Sequence, residues 1–411
     1  MQLITFLGTA DHKDKAHYTW QGKSYATSYV AEALCEFFQP DSVAVFVTKE
    51  AKEKNWAGLS SCLNNRFSAQ DILIPSGKSE TEVWQIFDAV VDAVEPGSQV
   101  MFDITHAFRS IPLLVLLAGA FLQKARNVEI KGVYYGAFDV NRSEPPIFDL
   151  TPAIKLLDWL TATDKFIDTG SSAEFGKLIS TIPQDFSFQQ PGVKPTTLKK
   201  FVKTIEEISL ALDYVRPMGL LKEAAKLEKI PAEKLQTEVG AFAKPFELLL
   251  EQIKQDYGQF ALADSSTSDR KTELKQHFLL LRWYVDKGFG DRAIVLAREW
   301  IVSVLCVSQN LDYIEKDNRK LIENQLYSMS NRKDHKVAYE AITDYAAPSS
   351  ITEVVTDVEK LGKFWSKLTE RRNDLAHAEM RNGSLSASTL EKYVKSELMQ
   401  GITALFPDMV G

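Results

Sequence analysis

The chain has 411 residues, too many for one ordinary domain, and its 45% hydrophobic and 25% charged content is that of a folded globular protein, which excludes a disordered or fibrous chain. No apolar run approaches the ~20 residues that span a bilayer, and Met1-Gln2-Leu3-Ile4-Thr5-Phe6 has no basic start or cleavage signature, so neither membrane insertion nor export is expected and the cytoplasm is the expected compartment. A formal net charge of −7 argues against non-specific coating of nucleic acid, while leaving room for a local basic site.

Residues 1–155 alternate short apolar runs with amphipathic helical ones, the pattern of a parallel sheet with crossover helices. Gln2–Leu7 reads as a strand ending at Gly8-Thr9. Ser28–Phe38 places Tyr29, Val30, Ala33, Leu34, Phe37 and Phe38 on one helical face. Ser42–Val47 and Asp71–Ile74 are the next strands. Ser79 with Glu82 forms a capping box, and Val83, Ile86, Phe87, Val90, Val91 and Val94 follow at helical spacing until Pro96-Gly97 stops them. Gln99–Ile104 is a fourth strand, Ser110–Gln123 an apolar run of the length of a buried helix, and Glu129–Tyr134 a fifth strand. Together they predict an open, doubly wound α/β sheet. From Thr151 the strand-like runs disappear. Residues 156–270 read as a helical connector and 271–411 as an all-α C-terminal domain, with Pro183–Pro195 and Asp264–Lys271 as irregular, polar pieces. The cysteines Cys35, Cys62 and Cys306 lie far apart with no Cys-x-x-Cys pair, so they read as reduced thiols rather than a disulfide framework or a zinc site.

Ligands of open α/β sheets bind at the carboxyl ends of the strands. Two loops there carry suitable groups. Leu7-Gly8-Thr9-Ala10 offers a close backbone approach and a hydroxyl. Asp103-Ile104-Thr105-His106-Ala107-Phe108-Arg109-Ser110 offers hydroxyls, an imidazole, a guanidinium and helix-start N–H groups, a donor set for a phosphate-bearing ligand. The competing reading is plain capping by Thr105 or Ser110, with Arg109 paired to a carboxylate. Gly-x-Gly-x-x-Gly after the first strand and the Walker loop are both absent, which disfavours NAD, FAD and nucleoside triphosphates. His12 and His17 sit among lysines with no third ligand beside them, so they are expected in a solvated loop without a metal.

The strongest chemical signal is Glu370-Arg371-Arg372-Asn373-Asp374-Leu375-Ala376-His377, in a helix expected to begin near Thr352. Asn373 and His377 are one turn apart, and Arg372 lies about 100° round from Asn373. These residue types suit metal-free phosphodiester cleavage in RNA. An imidazole moves a proton to or from the ribose 2′-OH or the leaving 5′-oxygen, a guanidinium neutralises the developing phosphorane charge, and an amide orients either. The bland alternative is that His377 merely ends the helix before Arg381-Asn382-Gly383.

Arg-x-x-x-x-His, here Arg372 to His377 with Asn373 and Asp374 between, resembles the signature of HEPN ribonucleases. The segment Phe278–Tyr284 through Asp291–Trp300 resembles an earlier helix pair of that domain. Phe6-Leu7-Gly8-Thr9 and Phe102–Ser110 resemble the CRISPR-associated Rossmann fold, CARF. The combination is similar to the CARF–HEPN ancillary ribonucleases of type III CRISPR systems. That resemblance implies an antiviral endoribonuclease, metal-independent, cutting single-stranded RNA to 2′,3′-cyclic phosphate ends. It also implies a homodimer activated by cyclic oligoadenylate, with cyclic tetra-adenylate matching two-fold symmetry, and leaves open whether dimers stack into larger assemblies. In its terms Arg372 and His377 are catalytic with Asn373 supporting them, Gly8, Thr9, Thr105, His106, Arg109 and Ser110 face the activator, and no cofactor or metal is needed. Two alternatives stand beside it. One is a ligand-gated transcriptional regulator, although Lys199–Glu238 mixes its lysines with many acids and has no dense basic stretch. The other is a sensor domain that also degrades its own activator, although no catalytic base is evident there.

Overall fold

In the computed structural model, which describes residues 1–11, 15–63, 66–106, 111–178, 196–239, 243–262, 269–330 and 349–410, each of the five expected apolar runs forms a strand of one sheet. The strands are β1 (Gln2–Leu7), β2 (Ala16–Trp20), β3 (Lys23–Thr27), β4 (Ser42–Val47), β5 (Ser68–Leu73), β6 (Gln99–Asp103), β7 (Glu129–Gly136) and β8 (Ile147–Asp149). Six of them line up as β5-β4-β1-β6-β7-β8. All pairings are parallel except the last, where β8 runs antiparallel to β7 at the edge. β1 has neighbours on both edges and is buried from Leu3 to Leu7, which is why it reads as a mostly apolar run, broken by Thr5, rather than an alternating one.

Alternate residues of β1 serve opposite faces. Leu3 and Leu7 share a core with Val30 and Leu34 of α1 (Val30–Phe38) and with Leu59 of the short helix Ala57–Leu63. Ile4 and Phe6 share the other core with Ile86 and Val90 of α2 (Glu80–Asp92) and Val115 and Ala118 of α3 (Ile111–Ala125). The sheet is therefore doubly wound, as expected, and its order reverses beside β1. The Ser79 cap is present: its side chain accepts from the Glu82 N–H at 3.2 Å, while the Glu82 carboxylate reaches back to the Lys78 N–H at 2.8 Å.

Three features differ from the sequence expectation. His17 does not lie in a loop but on β2, exposed, in a hairpin with β3. Gln21 and Gly22 close it with φ of 46° and 79°, the positive pair that a two-residue hairpin turn requires; His12 lies outside the described residues. The apolar run in α3 is not buried all round. Val115, Ala118 and Leu122 face the core, but Leu113, Leu117 and Phe121 are 62%, 52% and 47% exposed. With apolar residues on every side of the helix, its periodicity carries no sign of which face turns outward. Finally, the helix bearing Arg372 spans Val358–Ala376 and not 352–376, because Asp357 caps it by accepting from the Lys360 N–H at 3.0 Å. Thr352 ends a separate short helix, Ser349–Thr352.

The chain divides into two compact units between Asp158 and Trp159, inside the helix Thr151–Thr169. The second unit is helical throughout its described residues, and one apolar core runs through it from Trp159 to Met409. That core crosses residue 270 without a break: Tyr284 donates its hydroxyl to the Leu212 carbonyl at 2.7 Å, and the rings of Tyr257 and Trp283 lie 6.2 Å apart. Within it the motif helix Val358–Ala376 turns Leu361, Trp365 and Leu368 fully inward. Gly362 lets it approach the end of the helix Lys316–Met329, since a Cβ there would sit 2.2 Å from the Met329 backbone oxygen. Backbone cannot yield as a flexible side chain does. Gly362→Ala should therefore destabilise the protein by roughly 1–3 kcal/mol, read as a lower denaturation midpoint; an unchanged midpoint would show that the close approach is not required.

Candidate functional site

The topological switch beside β1 places the loop after β1 next to the loop after β6. A Cβ on Gly8 would lie 3.7 Å from both the Cβ and the backbone oxygen of His106. This is ordinary contact, and Gly8 has no left-handed backbone angle, so the fold does not demand a glycine here. The loop carbonyls are held from behind. Asn55 Nδ2 donates to the carbonyls of Gly8 and Ala10, both at 2.8 Å, and Lys54 Nζ donates to that of Thr9 at 2.7 Å. Both come from the π-helical turn Lys52–Trp56. Sequence reasoning missed these two residues, because a single wide turn leaves no period or cap to find. Thr9 itself is exposed, and His106 is half-buried.

Asp103, at the end of β6, is fully buried. Its carboxylate accepts from the Thr5 hydroxyl at 2.6 Å, the Thr105 hydroxyl at 2.6 Å and the Thr105 N–H at 2.9 Å. Burial raises its pKa above the ordinary aspartate value, and those three bonds act in the opposite direction. The Thr105 hydroxyl also accepts from the Gly136 N–H at 2.8 Å, tying the β6 loop to the end of β7. The Thr105 proton is thus committed to the fold, with one lone pair left over. Arg109 and Ser110 lie outside the described residues.

In the second unit, adjacent residues of the charged motif part company. Arg371 is buried: its guanidinium lies 4.3 Å from the centre of the Tyr393 ring and donates to the Lys367 carbonyl at 3.0 Å. Arg372 is half-buried and donates from Nη1 to Asn373 Oδ1 at 3.0 Å, with no other hydrogen bond from its guanidinium among the described residues. His377 is exposed and ends the helix, its N–H bonded to the Asn373 carbonyl at 3.1 Å. The Arg372–Asn373 pair and His377 therefore occupy one end of one rigid element. No side-chain hydrogen bond joins the imidazole to either of them among the described residues.

Asp374, between them, is 3% exposed. It accepts from Arg381 Nε and Nη2, each at 3.0 Å, and from the Leu385 N–H at 3.2 Å. This carboxylate pins a turn in which Ala378 and Glu379 both have positive φ, 47° and 66°. Such angles are uncommon for residues with a Cβ and persist only where the surroundings over-determine them. Asp374 was legible in the sequence only as a polar residue inside the motif; its clamp joins it to residues 7 and 11 positions further on.

Residues 2–139 match the family model described as "CRISPR system endoribonuclease Csx1, CARF domain", and residues 155–266 that described as "CRISPR-associated protein MJ1674, second domain". Neither stretch includes Arg372 or His377. The CRISPR-associated protein MJ1674 of Methanocaldococcus jannaschii is 25% identical over 313 residues, covering 75% of this chain and 42% of that protein. The chain thus spans about two fifths of the length of this curated relative. Among solved structures, Enterococcus italicus Csm6 bound to cyclic hexa-2′-fluoro-hexa-dAMP matches over 100% of this chain and 95% of that one, at 9% identity and a TM-score of 0.44, a likeness too loose to build on.

If Asp374 holds the turn after His377, Asp374→Ala should cost ~1–3 kcal/mol and open residues 377–385 to limited proteolysis. A variant with wild-type stability and the same cleavage pattern would show that the turn stands without it.

Proposed function

We propose that this chain, a CARF-containing ancillary protein of type III CRISPR systems, is an endoribonuclease switched on by cyclic oligoadenylate. One observation carries the catalytic half. At the end of the motif helix, Arg371 and Asp374 are consumed by the fold, whereas His377 is exposed and, among the described residues, the Arg372–Asn373 pair keeps unused donors.

The chemistry follows from those groups. The imidazole of His377 takes the proton of a ribose 2′-OH, whose oxygen attacks the adjacent phosphorus. The bond from phosphorus to the 5′-oxygen breaks, and that oxygen leaves with a proton. A 2′,3′-cyclic phosphate and a 5′-hydroxyl result, and no water is consumed. Arg372 neutralises the charge that gathers on the non-bridging oxygens, and Asn373 holds that guanidinium in place through Oδ1. One imidazole cannot accept one proton and deliver another in the same step, so the reading calls for the motif helices of two copies of the chain, in a homodimer with His377 of each copy. The substrate is single-stranded RNA, whose backbone can reach the in-line geometry.

The sensing half rests on the CARF match and on the paired loops. The Gly8 loop, stiffened from behind by Asn55 and Lys54, faces the His106 loop at the switch point where α/β sheets take ligands. Thr9, His106, Arg109 and Ser110 are assigned to the activator's phosphates and bases. Thr105 shapes the loop and offers one remaining lone pair. An even-numbered ring, cyclic tetra-adenylate first, suits two loops related by a two-fold axis.

His377→Ala should lower activator-dependent cleavage of single-stranded RNA by at least ~10²-fold while leaving the melting temperature unchanged, and EDTA should not slow the wild type. Wild-type turnover in the variant, or a strict divalent-cation requirement, would overturn the mechanism. Gly8→Ala introduces no strain, so it should fold normally yet raise the activator concentration for half-maximal cleavage about tenfold or more. The assay runs with cyclic tri-, tetra- and hexa-adenylate in parallel; an unchanged activation curve would place the ligand elsewhere.

A further inference from the structure

The first unit carries an apolar surface that neither candidate site uses. On α3, Leu113, Leu117 and Phe121 stand one turn apart on the exposed side of the helix. Trp84 of α2 is 62% exposed. It joins them through Phe87: the Trp84 and Phe87 rings lie 5.7 Å apart, edge to face, and those of Phe87 and Phe121 lie 5.8 Å apart. The stripe is therefore continuous across two helices. Scattered apolar residues on a surface need no explanation, but a joined patch of this kind does. From Pro112 to Leu122 no residue of α3 carries a charge or an amide, whereas α2 fills its exposed positions 80 and 88 with Glu80 and Asp88.

These features select what covers the patch. Glu80 and Asp88, exposed on the same helix as Trp84, would repel an anionic membrane surface. The exposed parts of Trp84, Leu113, Leu117 and Phe121 come to roughly 500 Å², the size of a patch that marks an interaction site. Two copies laid face to face would bury about 1,000 Å² from these side chains alone, the area at which a specific protein interface begins. A two-fold dimer sets the same surface on both sides of its axis, so one uncharged stripe is its own complement. We propose that α3 packs against α3 of a second copy of this chain, with Trp84 and Phe87 flanking the contact.

The direction of that packing rests on the activator reading. Ile111 opens α3 just beyond the loop that carries His106. A single ring touched by that loop from both copies needs the two loops at one end of the dimer. The two-fold axis then runs along the helices rather than across them, and α3 meets its copy in parallel. Each residue of the stripe faces its own counterpart: Leu113 meets Leu113, and Phe121 meets Phe121. An axis across the helices would instead pair Leu113 with Phe121.

Disulfide trapping of the full chain decides between these arrangements. Cys35 and Cys306 are buried, so replacing the partly exposed Cys62 by serine gives a background that should not link. In that background Leu113→Cys, oxidised at micromolar concentration without RNA or activator, should form a covalent dimer through residue 113. Adding Leu117→Arg should slow the linking about tenfold or more with the melting temperature unchanged, because Leu117 is half exposed and the arginine is tolerated in the separate chain. No covalent dimer, linking that Leu117→Arg leaves at the same rate, or linking only when Leu113→Cys is mixed with Phe121→Cys would each overturn the proposal. A chain that links at residue 113 yet cuts no RNA would reject the ribonuclease reading alone.

Discussion

A buried carboxylate ordering the turn beyond it is the constraint on which both candidate sites depend. Asp374 sits inside the second unit, with three N–H groups aimed at it from residues 381 and 385. Its charge is tolerable there only because those donors arrive together. Their arrival folds residues 377–385 back on the helix end and holds Ala378 and Glu379 at backbone angles they would not choose. The imidazole of His377 is left at a rigid, exposed terminus. A flexible terminus would have to lose conformational entropy at each turnover before its histidine met a phosphate.

Asp103 plays the corresponding part in the first unit. It is wholly enclosed, and its bonds from Thr5 and Thr105 join the ends of β1 and β6 on either side of the point where the sheet order reverses. Thr105 then carries the connection to β7 through the Gly136 N–H. Three strands are tied by one carboxylate and two threonine hydroxyls. The loops that follow β1 and β6 start from fixed points, which is what a ligand gripped by loop backbone and short side chains requires.

Much of the fold was readable because burial leaves a periodic mark. β1 and β4 are central strands and read as mostly apolar runs, and the helix after Ser79 announced itself by its cap and its spacing. The misreadings have equally local causes. The β2–β3 hairpin turns on Gln21-Gly22, a pair without the asparagine or aspartate that usually flags such turns. In α3 the outward leucines and Phe121 are as apolar as the inward residues, so composition could not orient the helix. Asp357, rather than a residue near Thr352, starts the motif helix, since a cap depends on where the preceding chain is pulled aside. Here Thr356 is held by the carbonyls of Ala404 and Leu405.

By itself the sequence determined the chemistry on offer: a guanidinium, an amide and an imidazole within one helical turn or so, and two strand-end loops rich in small polar residues. Side-chain identity and short-range spacing suffice for that, because helix and strand geometry are local. Only the tertiary structure decided which of two adjacent arginines is spent on Tyr393, that Asn55 and Lys54 brace the first loop, and that Asp374 is clamped by Arg381 and Leu385. Each depends on groups distant along the chain, and their meeting is set by the packing of a whole unit rather than by the order of neighbouring residues.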